Sequence, residues 1–250
     1  MNDLELAWRM ERACRNAWPA PRSLWLDGWV LNLAGSLGRR INSVNALGPA
    51  PGPVAALVPV AERFYASHGQ PAIFRVTDLI GQGLDQRLDD AGYTTEGRTL
   101  TLHAAIAART MDAAVTITPE PDAAWLMAMS RLQDQSPDTA LAYHRIVRSI
   151  AAPSGFAAFR EDGQYCALAY GTVSEGLLCL ESVVTDAAWR RRGAAARLIR
   201  SLMGWGASQG AAAVCLQVMA DNVAGQALYR SLGMGEPVYR YHYRRQPGER

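Results

Sequence analysis

One pattern occurs twice in this chain, and it restricts the possible folds more than any other feature. Laying Gly52 on Gly193, an offset of 141 positions, places Ala66-Ser67-His68-Gly69 on Ala207-Ser208-Gln209-Gly210 without a gap. In the same register Ala72–Val76 falls on Ala213–Gln217, and Gly92-Tyr93 falls on Gly233-Met234. The apolar series Val54, Leu57, Val58, Ala61, Phe64 and Tyr65 falls on the helical run after Gly193. An ungapped register spanning both glycine stops implies an internal duplication. At 250 residues the chain is long enough for two domains, each with its own core.

The second copy is the more legible. Val115-Thr116-Ile117, closed by Pro119, predicts a strand, and Asp122 is placed to cap a helix carrying Trp125, Leu126, Met129 and Leu132. Thr139 to Ile150 repeats the helical spacing. Strands are predicted at Phe156–Arg160, Tyr165–Val173 and Leu177–Thr185, joined by tight turns at Asp162-Gly163 and Glu175-Gly176. After Gly193 a helix with Ala195, Leu198, Ile199, Leu202 and Trp205 on one face ends at Gly210. A strand at Ala213–Val218, a helix from Asn222 to Gly233 and a closing strand at Val238–Arg244 complete the copy.

Bulk properties exclude several classes. A net charge of +2 gives no electrostatic footprint for nucleic acid. No stretch has the apolar length of a membrane span, and the acidic start MNDLELAWRMERACRNAW is unlike a signal peptide. A cytoplasmic location is the expectation. Cys14, Cys166, Cys179 and Cys215 have no zinc-binding spacing, so no metal is expected, and the last three read as buried free thiols. Every Lys/Arg position is Arg, which coding bias explains.

The chemistry concentrates where Leu177–Thr185 runs through Arg190-Arg191-Arg192-Gly193 into a helix. The first N–H groups of a helix have no intrahelical partner and lie at the positive end of its dipole, so a strand–turn–helix junction binds anions. Gly193 permits close approach, Ala194, Ala195 and Ala196 leave the amides open, and Arg190, Arg191 and Arg192 add donors for phosphate oxygens.

Two segments resemble motifs of the GNAT superfamily of acetyl-CoA-dependent N-acetyltransferases. Val183-Val184-Thr185-Asp186-Ala187-Ala188-Trp189-Arg190-Arg191-Arg192-Gly193-Ala194-Ala195 is similar to the cofactor signature V-x-V-x-P-x-(Y/W)-R-x-x-G-x-(G/A). Asn222 to Met234 is similar to N-x-x-A-x-x-L-Y-x-x-L-G-F. Ala187 stands for the usual Pro, Ala195 for the second Gly and Gly225 for the usual Ala, and the site stays small. The resemblance covers about Ala114 to Arg245. It implies that Val183, Val184 and Thr185 pair with the pantetheine arm, that residues 190–196 and Asn222 hold the cofactor, and that Tyr229 donates to the leaving sulfur. Glu181, two residues before Val183 and so on its face by strand alternation, is the candidate base, with His144 a second choice.

In the first copy the loop becomes Pro49-Ala50-Pro51-Gly52-Pro53-Val54, and Leu88 occupies the position of Tyr229. Proline has no N–H, so this copy loses phosphate donors, and Pro59 should kink or shorten its helix. Gly28-Trp29-Val30-Leu31 and Arg40-Ile41-Asn42-Ser43-Val44 match segments of a tandem GNAT subfamily, with a packing role expected.

The fold class expected is therefore α/β, two GNAT-like lobes each with a mixed, mostly antiparallel sheet flanked by helices. Residues 1–110 would form a degenerate lobe and 111–250 the catalytic domain. The expected function is transfer of an acetyl group from acetyl-CoA to an amine within a ternary complex. The rival is a non-catalytic acyl-CoA-sensing or protein-interaction module. The acceptor is left open among small amines, amino acids, antibiotics and protein N-termini.

Overall fold

A computed structural model describes residues 3–35, 37–107 and 111–248. Two compact units form. The first comprises Met1–Pro19, Thr101–Val218 and Asn222–Val238; the second comprises Ala20–Leu100, Met219–Asp221 and Tyr239–Arg250. This division differs from the expected boundary between 110 and 111, which adjoins residues 108–110 outside the description.

In the first unit β6 (Val115–Thr118), β7 (Ser154–Glu161), β8 (Gln164–Ser174), β9 (Leu177–Thr185) and β10 (Ala213–Met219) follow the order β10-β9-β8-β7-β6. Only β9 and β10 pair in parallel. The hairpin turns are as tight as predicted. Asp162 and Gly163 have φ of 50° and 77°, and Glu175 and Gly176 have φ of 56° and 70°. Two successive positive φ values match the twist of the flanking strands.

One sheet face carries α4 (Ala123–Leu132) and α5 (Pro137–Arg148), whose Trp125, Met129, Tyr143 and Val147 pack with Phe156, Leu168 and Tyr170. Asp122 caps α4, accepting the Trp125 N–H at 2.7 Å. Helix α1 (Asp3–Ala17) joins this unit. The buried Tyr170 hydroxyl donates to the Ala17 carbonyl at 2.8 Å, and Arg12 pairs with Glu175 at 2.8 Å. Those contacts, made across more than 150 positions of sequence, are why the N-terminal helix groups with the second copy.

Helix α6 (Ala194–Ser208) packs against β7, β8 and β9. A Cβ on Gly171 would lie 2.6 Å from Leu178 and 3.6 Å from Leu202, so glycine there lets α6 approach. Since Leu178 and Cys179 are neighbours on β9, and Cys179 meets Cys14 of α1, α6 and α1 lie on opposite faces.

The second unit contains β1 (Arg22–Leu26), β2 (Trp29–Leu33), β3 (Val44–Ala46), α2 (Val54–Ala66), β4 (Ile73–Thr77) and α3 (Gly83–Asp90). Strand β5 (Thr94–Ala105) passes between units after Leu100. Helix α7 (Val223–Ser231) belongs to the first unit, whereas most of β11 (Pro237–Arg245) belongs to the second. There β11 pairs antiparallel with β4, from Tyr241↔Thr77 to Arg245↔Ile73. The closing strand predicted for the second copy is thus given to the first copy's β4.

The repeat register coincides with these elements. Shifted by 141, α2 falls within α6, β4 within β10 and α3 within α7. Pro59 does not shorten its helix; α2 runs on to Ala66.

The two N-terminal motifs are packing devices. Trp29 is buried and its indole N–H donates to the Gly52 carbonyl at 3.0 Å, while Gly28, at φ 76°, leaves room for Pro51. Buried Asn42 accepts the Ala34 N–H at 2.7 Å and donates to the Leu37 carbonyl at 2.5 Å.

Candidate active site

Strands β9 and β10 share three parallel pairs, Leu177↔Ala213, Leu178↔Val214 and Cys179↔Cys215. Beyond them, among the described residues, no further pair joins the strands, although β9 runs on to Thr185. From Ser182 to Thr185 the edge of β9 therefore has no β10 ladder partner among the described residues, and its backbone groups can serve another partner.

The same stretch is bulged. Tyr170 pairs with Glu181 and Leu168 with Val184, so Ala169 stands opposite both Ser182 and Val183. Ser182 has φ 54°, left-handed for a non-glycine residue. The extra residue breaks the alternation on which the expectation for Glu181 rested. Partners across an antiparallel ladder share a face, so Glu181 shares its face with Val184 and not with Val183. That is the face covered by α1, α4 and α5.

A buried tyrosine braces the bulge: the Tyr143 hydroxyl of α5 donates to Ser182 Oγ at 3.0 Å. Burial raises the Tyr143 pKa above the ordinary tyrosine value, and the charge of Glu181 adds to the rise. Tyr229 of α7, 8% exposed, is held protonated in the same way. Its pKa is pushed up to about 12, first by burial and then by Glu181. Glu181 therefore acts on two buried phenols, one on each of α5 and α7. Asn222 caps α7, accepting the Gly225 N–H at 2.9 Å, so its side chain shapes the helix that carries Tyr229.

At the end of β9, Asp186 turns the chain by accepting the Ala188 N–H at 2.9 Å, while its own N–H donates to Cys166 at 3.0 Å. Arg191 and Gly193 then adopt left-handed φ values of 61° and 79°, and α6 begins at Ala194. No side chain caps its first turn. A Cβ on Gly193 would meet nothing within 4 Å, so the space above the helix N-terminus is open. Arg190, Arg191 and Arg192 are exposed, with Arg192 over the Trp189 ring at 5.1 Å. Ala194 is buried and Ala195 and Ala196 are half-buried. Asp112 holds Arg197 through two hydrogen bonds of 2.6 and 3.1 Å, fixing the first turn of α6 from its flank.

His144 stands apart from this chemistry, its Nε2 at 2.9 Å from Ser130 Oγ. Cys14, Cys179 and Cys215 are buried together with their sulfurs within 4.8 Å of one another. Mutual hydrogen bonding and burial hold the Cys179 thiol protonated. Sequence reasoning found neither the three-thiol contact nor the Tyr143–Ser182 bond, because each joins elements far apart in the chain.

A splayed parallel pair, a bulged strand and an uncapped helix N-terminus define a GCN5-related N-acetyltransferase fold. Over its whole length the chain is similar to such an enzyme from Kribbella flavida, with a TM-score of 0.71 at 19% identity, covering 99% of this chain and 96% of that one. A tandem GNAT protein from the clavulanic acid biosynthesis pathway aligns with a TM-score of 0.61 at 12% identity, over 78% of this chain and 70% of that one.

Residues 8–245 match the family described as probable histone acetyltransferase Rv0428c, C-terminal, and the chain belongs to that family. It is also 28% identical over 242 residues to the uncharacterized N-acetyltransferase YobR of Bacillus subtilis, covering 94% of this chain and 97% of the relative. The chain is a GNAT-superfamily N-acetyltransferase. Among the described residues, no helix is long and apolar enough to cross a membrane.

Proposed function

We propose that the first unit transfers an acetyl group from acetyl-CoA to an amine by direct attack within a ternary complex. The observation that carries this reading is the loss of β9–β10 pairing after Cys179↔Cys215, directly ahead of an uncapped helix N-terminus. Free backbone groups of Val183, Val184 and Thr185 would pair with the pantetheine arm. The amides of Gly193, Ala194, Ala195 and Ala196 would hold the pyrophosphate, with Arg190, Arg191 and Arg192 supplying charge.

An N–H of the bulged strand would hold the thioester carbonyl and then the oxyanion formed as the amine adds. Collapse of that intermediate breaks the carbon–sulfur bond and leaves CoA thiolate. Tyr229, protonated at neutral pH, would donate a hydrogen bond to that sulfur. Full transfer of its proton is unfavourable. A thiol near pKa 8.5 against a phenol near 12 is uphill by roughly 5 kcal/mol. Stabilisation of developing charge is thus the fitting role. Glu181 would take the proton of the incoming amine through water, on the sheet face shared with Val184.

The second unit would bind no acetyl-CoA, because Pro49, Pro51 and Pro53 remove amide donors where the first unit has Arg190, Arg192 and Ala194. The test combines calorimetric titration with acetyl-CoA and thiol release from acetyl-CoA across a panel of amines. Binding with amine-dependent release supports the reading. Binding without release for every amine would favour an acyl-CoA sensor, and no binding would overturn both.

A further inference from the structure

The second unit contains a cavity of about 580 Å³, within the size range of small-molecule sites. It lies where the end of β4, the middle of β11, the start of α3 and part of β5 meet, and all its lining residues belong to that unit. It shares no lining residue with Glu181, Tyr229 or the loop at Arg190–Ala196.

Its wall is mixed in charge, but the acids are already engaged. Both carboxylate oxygens of Asp78 accept the backbone N–H of Arg240, at 3.1 and 3.0 Å. Asp85 receives His242 Nε2 at 2.9 Å and Arg244 Nε at 2.7 Å. Burial alone would raise the Asp85 carboxyl, yet those hydrogen bonds outweigh it and hold the group below its ordinary pKa. Asp85 is thus an ionised, satisfied anion.

Arg98 and Arg240 also line the cavity, both residues are exposed, and neither is ion-paired among the described residues. The lining thus carries two cations against Asp78 and Asp85, but the Asp85 charge is already met by Arg244, itself outside the lining, which leaves Arg98 and Arg240 as the cations open to a ligand. Val76, Ile80 and Leu100 supply apolar wall for the body of a ligand.

We infer that this cavity is a binding site for a small organic anion, whose carboxylate or phosphate group is held between Arg98 and Arg240. Guanidinium donors form strong charge-assisted bonds with either oxyanion, and the apolar wall shelters the rest of the molecule. The site goes beyond the acetyl-transfer reading, and it stands or falls independently of acetyl-CoA binding.

The test is calorimetric titration of the full chain at low salt with succinate, phenyl phosphate and, as a neutral control, succinamide. The expected result is binding of one or both anions and none of the amide, and the anion that binds identifies the oxyanion preferred. Arg240→Gln and Arg98→Gln should each weaken that binding about tenfold or more, the loss of one charge-assisted bond. Exposed Arg87→Gln should bind as wild type, and acetyl-CoA affinity should be unchanged in all three variants. Binding of neither anion, equal binding of succinamide, or wild-type affinity in both the Arg98 and Arg240 variants would each overturn the assignment.

Discussion

Gly193→Asp is the sharpest test of the cofactor site, because the structure separates its effect on folding from its effect on binding. At φ 79° an aspartate is strained by roughly 1 kcal/mol, a modest cost to folding. A Cβ there meets nothing within 4 Å, so the variant should fold with about wild-type stability. The carboxylate, however, sits where a pyrophosphate would bind. Two unit charges about 4 Å apart near a protein surface repel by about 4 kcal/mol, or nearly a thousandfold in affinity. Arg190, Arg191 and Arg192 offset some of this, so a loss of at least about a hundredfold is expected. Gly193→Ala is the control: it carries the same backbone strain in both free and bound states and adds no charge, so its affinity should change little. Calorimetry with acetyl-CoA, alongside circular dichroism, reads the comparison. A folded Asp variant that binds like wild type would refute phosphate binding at the start of α6.

Three further outcomes test the remaining roles. Tyr229→Phe should lower kcat by roughly 10²-fold or more with little change in acetyl-CoA affinity, as for other donors to a developing anion; steady-state kinetics with equal turnover would leave Tyr229 a packing residue. Glu181→Gln should depress the rate most at low pH and recover partly at high pH, where free amine is abundant, and an unchanged pH–rate profile would exclude it as the base. Each chain should bind one acetyl-CoA; a titration giving two, or cofactor density beside Gly52, would show that the prolines at 49, 51 and 53 had not disabled the first copy.

Much of this arrangement was legible locally. The β9 limits, Leu177–Thr185, follow from an apolar β-branched run between Gly176 and Asp186, and both caps, Asp122 and Asn222, act as their residue types predict. The position of the loop was equally plain, since Gly193 among small residues marks a strand–helix junction, and α6 starts at Ala194. The 141-residue register succeeded for a related reason: apolar spacing and glycine stops record which face of each element is buried, and α2, β4 and α3 keep the faces of α6, β10 and α7.

What the chain pattern left undecided depends on pairing between distant segments. The grouping of α1 with the first unit rests on Tyr170 meeting Ala17 and on Arg12 meeting Glu175, contacts with no local signature. Strand β11 lies between β4 and β5, a place its alternating pattern could not reveal, because such a strand fits any open sheet edge and only the assembled sheet selects its neighbours. The face of Glu181 turned on a single inserted residue. Alternation assigns it to the side of Val183, but the bulge at Ser182, set by the ladder with β8 and braced by Tyr143, places it with Val184. The amino-acid sequence by itself determined where the elements around the candidate site begin and end, because helix caps, glycine turns and apolar spacing act within a few residues. Tertiary structure decided how those residues face one another, because strand register is a property of two strands and neither carries it alone.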